Sequence, residues 1–89
     1  MTWRILFDAH AMRALAGFPP EVRRRLQRKA TALIEDPLRK RPGADIKRLQ
    51  AMPGVLRLRI GDYRLFYSVF PSEKTVVVTD VKHRSHAYD

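Results

Sequence analysis

An α+β fold is predicted for this 89-residue chain. The order is an N-terminal strand, a helical hairpin, then a three-stranded antiparallel meander, giving one twisted, mostly antiparallel sheet with the helices on one face. Three observations carry this expectation. Two segments near the N-terminus place apolar residues at helical spacing, while the stretches before and after them alternate with the period of two that a strand requires. Only Phe18-Pro19-Pro20 breaks the helical pattern, so short a link that the two helices should lie antiparallel. Gly61-Asp62 separates two alternating runs by two residues, the spacing of a tight β-hairpin in which glycine supplies the positive φ.

The elements follow in order. Trp3, Ile5 and Phe7 alternate with Arg4 and Leu6, which makes Trp3–Phe7 a short strand with one strongly apolar face. Asp8 is suited to cap a helix over Ala9–Gly17, with Met12 and Leu15 or Ala16 turned inward. Pro20 can occupy the first turn of a second helix, which extends to Glu35. Val22, Leu26, Ala30, Leu33 and Ile34 form its apolar stripe, and Arg23, Arg24, Arg25, Arg28 and Lys29 fill the opposite face. Asp36-Pro37 ends it, since the residue before proline avoids helical geometry. Leu38–Asp45 is a basic loop rich in turn residues, and Ile46–Leu49 leads into a turn at Met52-Pro53-Gly54. The meander comprises Val55–Ile60, Tyr63–Phe70 and Thr75–Val81; beyond Asp80 the parity is not fixed, because strand ends fray and bulge.

Composition restricts the function. One small domain spanning residues 1–89 is expected, with hydrophobic residues at 45%, enough for a modest core. Lys and Arg total 18 against 9 acidic residues, a formal charge of +9. Such an excess repels itself and favours an anionic partner. Thirteen of the cations are Arg, whose guanidinium fork matches phosphate. The chain has no Cys, so disulfide and thiolate–metal sites are excluded, which fits a reducing cytoplasm. Trp3, Arg4 and Asp8 so near the start argue against a signal peptide or a membrane span, and no membrane partner is expected.

The hairpin pattern concentrates the charge. If Gly61-Asp62 forms the loop, Ile60 pairs with Tyr63, Arg59 with Arg64 and Leu58 with Leu65. Leu56, Leu58 and Ile60 then face the core, while Arg57, Arg59 and Arg64 gather on the other, uncovered surface with Phe66 among them. Like charges opposite one another across strands are unfavourable, so an anion belongs there. Phe66 can stack on a base or be covered by a partner. Trp3, Tyr63 and Tyr67 read as core aromatics, and His10 as an exposed helical residue. No glycine-rich phosphate loop or carboxylate cluster at ligand spacing is present, which favours a metal-independent reaction without a cofactor.

Several motifs, in order and spacing, resemble the RelE/ParE-type toxins of prokaryotic type II toxin–antitoxin systems. They are Ile5-Leu6-Phe7-Asp8, Phe18-Pro19-Pro20-Glu21-Val22, Glu35-Asp36-Pro37, the run Met52-Pro53-Gly54 to Tyr67, and His83-Arg84 to Tyr88. The resemblance is closer to the RelE-like mRNA interferases, ribosome-dependent endoribonucleases in which the message's own 2′-hydroxyl attacks the adjacent phosphate. It implies binding to mRNA in the ribosomal decoding site and to ribosomal RNA, and neutralisation by a cognate antitoxin with an acidic segment. By position it matches Arg57, Arg59, Arg64, Arg84 and Tyr88 to functional residues of the family; on this reading RNA contacts are expected from Arg57, Arg59, Phe66, Lys82 and His86, and catalysis from Arg64, Arg84, His83 and Tyr88. One departure matters. The family's best-studied members carry lysines where this chain has Arg57 and Arg59, and arginine is too basic to transfer a proton at neutral pH. Proton transfer is therefore expected from His83, His86 or Tyr88, because only His titrates near neutrality unperturbed. A ParE-like inhibitor of DNA gyrase and an inactive binding module are the alternatives on the same fold.

Overall fold

The computed structural model describes residues 2–84. Strand β1 (Arg4–Phe7) leads into α1 (Ala9–Ala16), followed by α2 (Pro20–Ala30) and a single helical turn, α3 (Ala32–Glu35). Strands β2 (Asp45–Arg48), β3 (Val55–Ile60), β4 (Tyr63–Phe70) and β5 (Thr75–His83) complete the order. The sheet has five strands in the order β1-β5-β4-β3-β2, antiparallel except for the parallel pairing of β1 with β5. The expected meander thus gains a strand. Asp45–Arg48, which spans the expected end of the basic loop at Asp45 and most of the expected lead-in Ile46–Leu49, pairs antiparallel with Leu56–Arg59.

The helix boundaries follow from local chemistry. Asp8 caps α1 by accepting the Ala11 backbone N–H at 2.8 Å. Pro20 occupies the first turn of α2, where its missing N–H costs nothing. The single long helix expected to reach Glu35 is interrupted at Thr31, whose hydroxyl donates to the Arg28 carbonyl at 2.6 Å and competes with the helical ladder. Asp36 stops the chain with its carboxylate, which accepts the N–H groups of Leu38 and Arg39. The Leu38 bond is the main reason its acidity is increased, and burial opposes it. Arg41 then returns under α3 and donates to the carbonyls of Ala32, Asp36 and Arg39, satisfying acceptors the helix end leaves open. Of the two helices, α1 packs chiefly on β5 and α2 leans on β3, and their inward residues share one core.

Alternation does the rest. Leu56, Leu58, Ile60, Leu65, Tyr67, Val76, Val78 and Val81 face the helices and meet Ala11, Leu15, Leu26, Ala30 and Leu33. Tyr67 is fully buried, and its hydroxyl donates to the Pro37 carbonyl at 2.6 Å. Burial pushes that phenol's pKa up, so it stays a donor across the physiological range. The bond fixes the segment after α3 to the centre of the sheet.

Replacing Tyr67 with Phe leaves the Pro37 carbonyl without that donor, and should cost about 1–3 kcal/mol of stability. Urea unfolding monitored by Trp3 fluorescence measures it; an unchanged midpoint and slope would show that the bond contributes nothing.

Candidate nucleic-acid interface

The register of the sheet arranges the outer face in rows. Gly61-Asp62 forms the hairpin loop, with Gly61 at φ 58°, and Arg59 lies opposite Arg64 as expected. Carrying the pairings outward, one row runs Asp45, Arg59, Arg64, Lys82 across β2, β3, β4 and β5. The next row runs Lys47, Arg57, Phe66, Asp80. Directly opposed side chains in a sheet stand about 5 Å apart at Cβ, so Arg59, Arg64 and Lys82 form a continuous positive strip.

The face is less open than the alternation alone suggests. Arg57 is 5% exposed, Arg64 8% and Phe66 3%. Arg57 Nη2 donates to Asp45 Oδ1 at 3.1 Å, and Lys40 Nζ lies 4.0 Å from the same oxygen. Arg64 Nη1 donates to the carbonyls of Gly61 and Tyr63, which holds its guanidinium against the hairpin tip. Phe66 is enclosed beside a cavity of about 210 Å³ lined also by Met52, Val55, Thr79, Asp80 and Lys82. Its ring is therefore not an open stacking platform in this conformation. Lys82 pairs with Asp80 at 3.6 Å, and Arg59 remains exposed.

Arg84 sits at the edge of this strip. Its backbone N–H donates to the Asp62 carbonyl at 2.7 Å, and its guanidinium lies 3.8 Å from the Asp62 carboxylate. These contacts clip the end of β5 to the hairpin tip, at the end of the strip. His83 goes elsewhere. It pairs across the strands with Tyr63 and packs edge-on against that ring, with centroids 5.2 Å apart. Tyr63 in turn packs edge-on against Phe18, on the helical side. The cause is a β-bulge: Phe66 pairs with Asp80 but Tyr67 with Val78, so Thr79 is an extra residue in β5. Without it, strict alternation from Val76 and Val78 would send His83 to the arginine face and Lys82 to the helices. The bulge exchanges them, so that Lys82 joins the arginine face and His83 lies on the Tyr63 side of the sheet. His86 and Tyr88 lie outside the described residues.

Sequence reading missed two acidic organisers. Asp45 belongs to a strand too short to show a period, and Asp80 takes its place from the bulge. His10, read as a plain surface residue, has Nε2 3.3 Å from Asp80 Oδ1. Nothing local in the sequence links residues 10 and 80. Among the described residues no group of His, Asp and Glu is arranged to hold a metal ion, and no helix is long and apolar enough to cross a membrane.

Residues 5–88 match the family model described as the ParE toxin of the type II toxin–antitoxin system parDE. The candidate toxin RelE1 of Methanocaldococcus jannaschii is 26% identical over 88 residues, covering 99% of this chain and 97% of that one. The toxin–antitoxin complex RelBE2 of Mycobacterium tuberculosis contains a chain matched at TM-score 0.79 and 29% identity, over 94% of this chain and 100% of that one. The archaeal RelE–RelB complex of Pyrococcus horikoshii matches at TM-score 0.77 and 28% identity, over 98% and 100%. With the family model spanning nearly the full chain and these structures superposing along its length, this protein belongs to the RelE/ParE-type toxins of type II toxin–antitoxin systems.

Proposed function

We propose that this toxin is a ribosome-dependent mRNA endoribonuclease held inactive by a cognate antitoxin. The observation that carries the reading is the strip of Arg59, Arg64 and Lys82 on three adjacent strands, with Arg84 clipped to its edge. In the reaction the 2′-oxygen of one nucleotide bonds to the adjacent phosphorus while its proton passes to a base. The 5′-oxygen of the next nucleotide leaves with a proton from an acid. The products are a 2′,3′-cyclic phosphate and a free 5′-hydroxyl. Between them lies a phosphorane with an added negative charge, and fixed guanidinium groups favour that charge over the ground state.

Arg59 supplies the exposed, mobile contact to the phosphate, and Arg84 supports it from the strip's edge. Arg57 and Arg64, held by Asp45 and by backbone carbonyls, contribute a preorganised positive field that needs no rearrangement as charge develops. Since arginine does not give up its proton at neutral pH, base and acid come from other residues. With His83 packed against Tyr63, that work falls to His86 and Tyr88. An acidic antitoxin segment laid over the strip would neutralise it by occupying the place of the phosphate; the relatives of known structure include RelE toxins in complex with RelB.

A second reading is favoured by the family model itself, which is that of ParE. On it, the same fold inhibits DNA gyrase and cuts no RNA. Induced expression, with cleavage sites mapped on translated and untranslated copies of one message, separates the two. Cuts confined to the translated copy are expected; an intact message with gyrase-trapped DNA breaks would replace the first reading with the second.

The division of labour on the site has its own test. R59Q should reduce the cleavage rate by about 10²-fold, the usual cost of losing one charge-stabilising donor, without changing the melting temperature. H86Q should reduce it by about 10²–10⁴-fold, as for loss of a general acid or base, and H83Q should leave it unchanged. Single-turnover cleavage on programmed ribosomes gives all three rates. A large loss in H83Q with normal activity in H86Q would reverse the assignment.

A further inference from the structure

The basic surface does not end at the sheet face. Strand β2 begins at Asp45, opposite Arg59, so the last residues of β3 and the hairpin glycine run on past it. The corner left open is a cleft of about 420 Å³. Its walls are the β3 end, with Arg59 and Gly61, the loop carrying Arg41, the start of β2 at Asp45, and helix α2, with Arg25 and Lys29. Arg25 and Lys29 are one turn apart, so they project side by side, with Cβ atoms about 5–6 Å apart.

Arg41 and Asp45 are already engaged. The Arg41 guanidinium is spent on three backbone carbonyls, and the Asp45 carboxylate on Arg57 and Lys40. Arg25, Lys29 and Arg59 have no carboxylate within ion-pair distance among the described residues. Arg25 also reaches the hairpin tip: a Cβ added at Gly61 would lie 2.6 Å from Arg25 Nη2, so the guanidinium rests against the space that glycine leaves. Gathering three cations at one cleft, with no carboxylate paired to them among the described residues, costs folding energy through repulsion, and a bound polyanion removes that cost.

We infer that this cleft is a second phosphate-binding site, which takes the sugar–phosphate backbone of a single RNA strand whose neighbouring phosphate lies on the sheet-face strip. Arg59 belongs to both surfaces and joins them. A ligand whose charge repeats at every unit follows such a path, and the paired Arg25 and Lys29 continue it around the edge of the sheet. The identification of the strand as RNA rests on the function proposed above; the binding of phosphate does not.

The test uses the whole chain without ribosomes and a fluorescent single-stranded oligodeoxynucleotide, which lacks the 2′-hydroxyl and is not cut. Affinity is measured over a range of salt concentrations. R25Q/K29Q should bind more weakly and show a log–log salt slope smaller by about 1.4, because each phosphate contact on a single strand contributes roughly 0.7. R24Q/R28Q removes the same charge from the same helix outside the cleft and should keep the wild-type slope. Equal slopes in the two double variants, with unchanged melting temperatures, would overturn the inference, as would polyglutamate displacing the oligonucleotide at lower charge concentration than RNA does. Because neither cleavage nor ribosomes enter, failure of the nuclease reading and failure of this site give different results.

Discussion

The two-residue turn at Gly61-Asp62 sets the register of β3 against β4, and everything else on the sheet follows from it. Side chains alternate with a period of two, so a slip of one residue would turn Leu56, Leu58 and Ile60 to solvent and bury Arg57 and Arg59 under the helices. Glycine at φ 58° is what permits the turn. The same register lays Arg59, Arg64 and Lys82 side by side. An arrangement that a stable sheet would ordinarily avoid is thus built into the pairing that holds the core together.

The cations divide by how they are held. Asp45 anchors Arg57, Asp62 anchors Arg84, and Asp80 anchors Lys82. A guanidinium as little exposed as Arg57 must be compensated, because an uncompensated buried charge costs several kcal/mol. These pairs make a positive frame of fixed shape. Arg59, Arg25 and Lys29, which carry no such anchor among the described residues, are the groups left to meet a ligand. That split between preorganised field and mobile contact is what transition-state stabilisation of a phosphorane calls for.

Much of this was legible in the residues. The hairpin, its pairings, the Asp8 cap, the proline entry to α2 and the apolar face of the sheet all arise from local rules, and β3 and β4 begin and end where alternation places them. Strand β2 escaped because Asp45–Arg48 holds a single large apolar residue, Ile46; its strand character comes from pairing with β3 and not from its own pattern. The helix break at Thr31 turned on one hydroxyl choosing a backbone acceptor. The fate of His83 was decided by the bulge at Thr79, which depends on two strands at once. Burial of Arg57 and Arg64 was hidden for a similar reason, since parity assigns a face but not what lies over it.

The central claim is that the strip formed by Arg59, Arg64 and Lys82 is where a phosphodiester sits. Nuclear magnetic resonance of the arginine side-chain N–H groups and the lysine ammonium tests it directly, with a short RNA carrying one 2′-deoxy substitution titrated into the free protein. The account predicts the largest perturbations at Arg59, Arg64 and Lys82. Perturbations confined to α1 and β1, with the strip unchanged at saturation, would contradict it.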